Sequence, residues 1–196
     1  PVFPVALLEA ADAMTMIREH AAEWHVDPDA IAVIGFSAGG HLAANLATST
    51  SDDVLVAHGY DPDAVRPNGL MLAYPVITSG PLAHRGSFDS LLGERRNDSQ
   101  ALESVSIERH IDAKTPPVFA WHTVPDETVP YENTLMLIDA CKKAGVSIEA
   151  HLFPQGGHGL SLGTAETAWQ GVNGIEPSIQ IWPQLAVSWM RRTFAR

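Results

Sequence analysis

The sequence predicts an α/β fold, a mainly parallel sheet with helices on both faces, from three observations. Short apolar runs recur along the chain, "IAVIGF", "LMLAYPVI", "PPVFAWHTV" and "VSIEAHLFP", each of strand length. Helical patterns alternate with them, and right-handed crossovers between successive strands then make the strands parallel. The chain has 196 residues, 45% of them hydrophobic, which suits one domain and is short for two. Residues 1–196 are therefore expected to form a single three-layer domain.

The first element is an amphipathic helix over 4–24. Leu7, Ala10, Ala11, Met14, Ile17, Ala21 and Trp24 fall at three- and four-residue spacing, with Glu9, Asp12, Arg18 and Glu19 off that stripe. "VDPDA" turns the chain into "IAVIGF", a continuous apolar run suited to a strand buried on both faces. "AGGHLAANLATS" is rich in alanine and leucine and reads as a helix, and "YDPDAVRPNG" turns the chain into the second strand. DPDA occurs twice, but its surroundings do not repeat. Residues 79–117 carry more Ser, Arg and Asp without a clean period, apart from a helix near 98–104, and 79–114 reads as a pocket-forming or cap insertion. The third strand leads through a loop to the helix "YENTLMLIDACKKAG", which closes on Gly145. After the fourth strand comes a long loop. A last helix begins near Trp182 with Pro183 in its first turn and carries Leu185, Trp189, Met190 and Phe194.

Composition excludes several classes. Twelve basic against 23 acidic residues give a formal charge of −11, which argues against nucleic acid and anionic membrane as partners. Arg191, Arg192 and Arg196 cluster at the C-terminus, where they complement a helix dipole. The single cysteine, Cys141, excludes an intramolecular disulfide and a cysteine-rich zinc site, and reads as a small packed thiol. No apolar run approaches membrane-spanning length and no signal peptide is recognisable, so the expected compartment is cytoplasmic. No His-x-x-x-His pattern or acidic cluster suggests a metal, and no cofactor is expected.

In a parallel sheet of this kind ligands sit beyond the carboxyl ends of the strands. After the first strand comes Gly35-Phe36-Ser37-Ala38-Gly39, a G-x-S-x-G. In such a nucleophile elbow the serine sits on a sharp strand-to-helix turn, and flanking glycines let neighbouring chain pass without a Cβ clash. The turn aims the Ala38 N–H and the helix dipole at the place an oxyanion would occupy. A serine needs a base, and the base needs an acid. "HTVPDETVP" after the third strand offers Asp126 and Glu127, of which the shorter Asp126 is preferred. "FPQGGHGLSL" after the fourth offers His158, which completes the order Ser, Asp, His. His41 and His122 are expected to pack beneath the site, His151 to lie in a strand, and His20, His25, His58, His84 and His110 in helices or loops.

At these residues the chain resembles the α/β-hydrolase superfamily, and within it the acetyl xylan esterase-like and feruloyl esterase-like carbohydrate esterases. The resemblance rests on "VDPDAIAVIGFSAGGHLAANLAT", "LMLAYPVIT", "SFDSLLG", "TPPVFAWHTVPDETVP" and "LFPQGGHGLSL", which span most of the chain from residue 26 onward. It implies Ser37 as nucleophile, Asp126 as orienting acid, His158 as base and the Ala38 N–H as one oxyanion donor. It also implies a small-molecule ester or acylated oligosaccharide as substrate. Trp169 and Trp182 could stack on sugar or aryl rings, with core packing the plainer role. The resemblance also shows a departure, because such proteins have further strands before this helix and a Gly-rich loop carrying a second oxyanion donor. Neither is present here, so the chain is expected to be the C-terminal half of such a fold, with an unpaired apolar edge on its first strand. That edge leaves a homo-oligomer or association with a missing N-terminal segment as expected partners. A prolyl-oligopeptidase-type peptidase and a non-catalytic binding module are the alternatives.

Overall fold

A computed structural model describes residues 2–169 and 173–195. The chain opens with α1 (Val5–Glu19) and α2 (Ala21–Trp24), followed by β1 (Ala32–Phe36) and α3 (Ala38–Ala47). Short helices α4 (Asp52–Ala57) and α5 (Pro62–Val65) lead to β2 (Gly69–Ala73). Then come α6 (Arg85–Leu92), α7 (Ser99–Ser104), β3 (Val118–Thr123), α8 (Glu132–Ala144), β4 (Ile148–Phe153) and α9 (Trp182–Thr193). The four strands run parallel in the order β1-β2-β3-β4, with Phe36 level with Ala73 and Ala73 level with Trp121. All four carboxyl ends therefore open on one side of the sheet.

Side chains alternate across the sheet, as a two-residue period requires. Leu70, Leu72, Val118 and Ala120 face a core closed by Ala43, Ala44 and Ala47 of α3 with Leu137 and Cys141 of α8. Met71, Ala73, Phe119 and Trp121 face the other way, against Trp182, Ala186 and Trp189 of α9. Alanines on α3 let that helix lie close to the sheet, whereas tryptophans fill the wider gap beneath α9. On the α3 side, Leu7, Ala11 and Met14 of α1 pack with Leu46 of α3 and Leu55 of α4. Among the described residues no helix is long and apolar enough to cross a membrane.

Several expectations shift in detail. The single helix over 4–24 is two, broken at His20, where the backbone leaves helical geometry (φ −97°, ψ 9°). Trp24 does not join the core; it is 45% exposed and stacks on His20. β1 is not buried on both faces, because it lies at the sheet edge and Ile34 is 43% exposed. The second strand stops at Ala73, since Tyr74 takes a positive φ of 38° and Pro75 has no N–H to give a ladder. The stretch expected to turn at 60–69 holds α5, begun by the Asp61 side chain accepting from the Asp63 N–H with Pro62 in the first turn. The helix near 98–104 forms as α7, capped by Asp98, which accepts from the Gln100 and Ala101 N–H groups. Gly145 closes α8 at φ +73°. Trp182 is core: it stacks on Trp121 at 5.5 Å and donates its indole N–H to the Ser161 carbonyl, so it is not free to meet a sugar. Arg191 and Arg192 do occupy the last turn of α9, and Arg192 also pairs with Glu149; Arg196 lies outside the described residues.

Candidate active site

Each candidate residue follows a strand. Ser37 sits between the last residue of β1 and the first of α3 with φ 53° and ψ −121°, a conformation that costs a Cβ-bearing residue about 1–3 kcal/mol. Neighbouring backbone holds it there. Its N–H donates to the Ala73 carbonyl at 3.0 Å, and its own carbonyl accepts from Val76 at 3.2 Å and Gly40 at 3.0 Å. Two glycines make the turn possible. A Cβ on Gly35 would lie 2.2 Å from the Gly39 carbonyl oxygen, and one on Gly40 would lie 2.9 Å from Pro75 Cβ. Gly39, expected from the pattern to permit a close approach, has nothing within 4 Å of where its Cβ would be. The close approach belongs to Gly40 instead, because that residue faces the Tyr74-Pro75 turn while Gly39 faces outward.

Ser37 Oγ lies 2.8 Å from His158 Nε2, and His158 Nδ1 lies 2.7 Å from Asp126 Oδ2. The two ring nitrogens thus face a hydroxyl and a carboxylate, the arrangement in which an imidazole can move a proton from one side while held from the other. Asp126 is buried and its Oδ1 accepts from the Thr128 and Val129 N–H groups, both at 2.9 Å. Burial alone would push its carboxyl up. Hydrogen bonds from His122, His158 and the Val129 N–H, together with attraction to His158, outweigh burial and hold the carboxyl well below the usual range. Glu127, the alternative acid, is exposed and takes no part in this network. Ala38 opens α3, where N–H groups have no acceptor within the helix and the dipole is positive.

The His158 loop is tied down at two points. Thr123 Oγ1 donates to the Gly157 carbonyl at 3.0 Å, and the Ser161 N–H donates to the Tyr74 hydroxyl at 3.1 Å. The Tyr74 ring also meets the His158 ring edge-on at 5.0 Å. Sequence reasoning did not single out Tyr74. Its signal was a large aromatic directly before proline at the end of a strand, beside the strand that carries the elbow.

His41 and His122 do lie beneath the site. His41 Nε2 donates to the Val105 carbonyl at 2.7 Å while Nδ1 accepts from Asn45, and burial pushes its imidazole down to about 4 despite the Val105 bond. An apolar hollow of about 280 Å³ borders Ala38 and Gly39, walled by Phe3, Leu7, Leu42 and Leu91. Leu91 comes from the 79–114 segment. Trp169, within the long loop between β4 and α9, is 42% exposed and bridges to Asn173.

The BD-FAE family model matches residues 1–140. Endo-1,4-beta-xylanase B of Butyrivibrio fibrisolvens is 33% identical over 173 residues, covering 87% of this chain and 27% of that protein. An acetylxylan esterase of Xylanibacter ruminicola is 30% identical over 153 residues, covering 76% of this chain and 30% of that one. Among solved structures, an acetyl ester-xyloside bifunctional hydrolase from Caldicellulosiruptor lactoaceticus superposes with a TM-score of 0.81 at 36% identity, over 98% of this chain and 67% of that one. A carboxylesterase from Lactobacillus plantarum gives a TM-score of 0.80 at 28% identity, over 97% and 68%. The chain thus spans less than a third of those curated relatives and about two thirds of those solved structures.

Proposed function

The chain belongs to the BD-FAE family and has the α/β-hydrolase fold, and from that premise we propose that it carries the catalytic residues of a serine carboxylesterase. The substrates are small esters, chiefly acetylated or feruloylated sugars. The relatives named for acetylxylan and acetyl-ester hydrolysis support the acetyl-sugar reading.

The observation that carries the reading is the relay of 2.8 and 2.7 Å from Ser37 through His158 to Asp126, built on a strained strand-to-helix turn. His158 takes the Ser37 proton as Oγ attacks the ester carbonyl carbon, and Asp126 holds the imidazole in the needed tautomer and stabilises its charge. The carbonyl π-electrons move onto oxygen, which the Ala38 N–H stabilises; each such donor is worth about 3–4 kcal/mol in the transition state. A second backbone donor, which the family resemblance assigns to a Gly-rich loop, would complete the hole. Collapse of the tetrahedral adduct breaks the bond to the alcohol oxygen, which leaves with the proton from His158. Water, deprotonated by His158, then cleaves the acyl-serine and releases the acid. The hollow beside Ala38, walled in part by Leu91, supports a pocket-forming role for 79–114.

The test is labelling by a fluorophosphonate and hydrolysis of p-nitrophenyl acetate and acetylated xylo-oligosaccharide. The longest protein that contains the chain is compared with its Ser37→Ala and His158→Ala variants. Labelling and ester turnover lost in both variants are expected. A parent that does not label is a binding module instead, and one that cleaves a proline-linked amide faster than the esters is a peptidase.

A further inference from the structure

The Asp126 carboxylate has a second imidazole against it. His122, on β3 and fully buried, places Nε2 2.9 Å from the Val129 carbonyl oxygen and 3.3 Å from Asp126 Oδ2. Its Nδ1 lies 2.8 Å from the Thr134 hydroxyl on α8. A ring nitrogen facing two acceptor oxygens carries the hydrogen. The Nε2–H is therefore the donor, directed chiefly at the carbonyl with the carboxylate as its longer second acceptor. The Thr134 hydroxyl is then free to donate to Nδ1, which fixes that tautomer. Val129, which accepts from His122, also donates its N–H to the other oxygen of Asp126, Oδ1, at 2.9 Å. His122, Val129 and Asp126 thus close a ring: one imidazole grips a carboxylate oxygen and the residue that caps its twin. A hydrophobic side chain could fill this place on the strand without the cost of burying polar nitrogens.

We propose that His122 is a positioning residue for the relay, acting through Asp126; the proposal rests on the esterase reading above. It holds the carboxylate plane so that Oδ2 meets His158 Nδ1, and its N–H draws charge from the oxygen that faces that ring. Among the described residues, the titratable groups that face the Asp126–His158 dyad are His122 from β3 and Tyr74 from the turn after β2, whose buried phenol is pushed up and stays protonated. From α3's end of the site the dyad meets the Ser37 hydroxyl. Removing the His122 imidazole therefore changes the dyad's field through one hydrogen-bond donor.

Leucine at 122 leaves Oδ2 with His158 as its remaining imidazole donor. The dyad then binds its silencing proton more tightly, and the acid limb of the pH–rate profile moves up by about half a unit or more. The maximal rate falls with KM little changed, the pattern of an interaction that acts on the chemical step. His122→Gln, whose amide N–H reaches about as far as Nε2, brings the limb back toward the parent. The experiment records fluorophosphonate labelling and p-nitrophenyl acetate turnover against pH for the parent, His122→Leu and His122→Gln, with circular dichroism to establish folding. A folded His122→Leu whose acid limb stays in place overturns the proposal, because mere packing moves stability and leaves the limb alone. If His122→Leu does not fold, His122→Asn keeps a polar atom toward the Thr134 hydroxyl, where Nδ1 stands, and is too short to donate to Asp126 Oδ2 as Nε2–H does. It must shift the limb in the same direction, and an unmoved limb overturns the proposal. A parent that neither labels nor turns over overturns the esterase reading instead. The His158 ring protons are then followed by NMR titration across the same variants, where the same upward shift is expected and its absence refutes the role of His122.

Discussion

Gly35 and Gly39 look equivalent in the G-x-S-x-G pattern, yet the structure predicts opposite outcomes when each becomes alanine. A Cβ on Gly35 would sit 2.2 Å from the Gly39 carbonyl oxygen, 2.6 Å from its carbon and 2.7 Å from Gly40 Cα, where ordinary contact begins at 3.4 Å. All three atoms are backbone, so β1 and the first turn of α3 must part by more than an ångström. That turn contains Ser37 and Ala38. Overpacking of this kind costs about 3 kcal/mol or more, which for a chain of this size lowers the melting temperature by roughly 6–12 °C. On the proposed esterase reading, displacing the Ser37 hydroxyl by about an ångström also lowers its labelling rate by about 100-fold. Gly39→Ala meets open space, and replacing a helical glycine without strain stabilises by about 0.5–1 kcal/mol. Thermal melting of both variants, with the labelling rate of Gly35→Ala, makes the comparison. A Gly35→Ala that melts with the parent and labels at the parent's rate refutes the steric argument, as does a Gly39→Ala destabilised to the same degree.

Four further outcomes follow from three buried groups. On the proposed esterase reading, Asp126→Asn removes the charge that holds His158 and lowers ester turnover by about 10⁴-fold. The Asp126 carboxyl is held low in the folded chain, so its stabilisation is complete above the unfolded value of about 4 and is lost as pH falls below it. Urea midpoints of the parent should therefore drop more steeply on acidification than those of Asp126→Asn. His41, pushed down to about 4 by burial, stays neutral where an unfolded imidazole takes up a proton. Stability then declines as pH falls from about 6.5 toward about 4, by about 3 kcal/mol from this group, and His41→Gln should lose that part of the slope in urea titrations. Cys141 is fully buried and its thiol is pushed up to about 12, so a disulfide reagent near neutral pH should label it only after denaturation.

The four strands, the helices after β1 and β3 and the last helix were legible because each leaves a local mark. Such marks include an apolar run of strand length, an alanine-rich helical stretch, Gly145 at a helix end and Pro183 at a helix start. Ser37, Asp126 and His158 were legible for a related reason. In a parallel sheet each follows a strand, and that topology alone brings the carboxyl ends together. The break at His20, the exposure of Trp24 and the interior place of Trp182 left no such mark. Their fates depend on which neighbours arrive, and a tryptophan at helical spacing reads alike in either setting.

The sequence by itself determined the fold class, the order of the strands' terminal residues and the chemical types gathered there, because periodicity and turn chemistry act over a few residues. Only the tertiary structure decided which glycine admits the close approach, Gly40 rather than Gly39. It alone placed Tyr74 against His158 and His122 against Asp126. These are contacts between strands or across a loop, set by distances of a few ångströms between residues far apart in the chain or aimed from opposite ends of a turn. No local pattern encodes such a distance; it exists once the sheet has closed and the backbone has been forced to share the space.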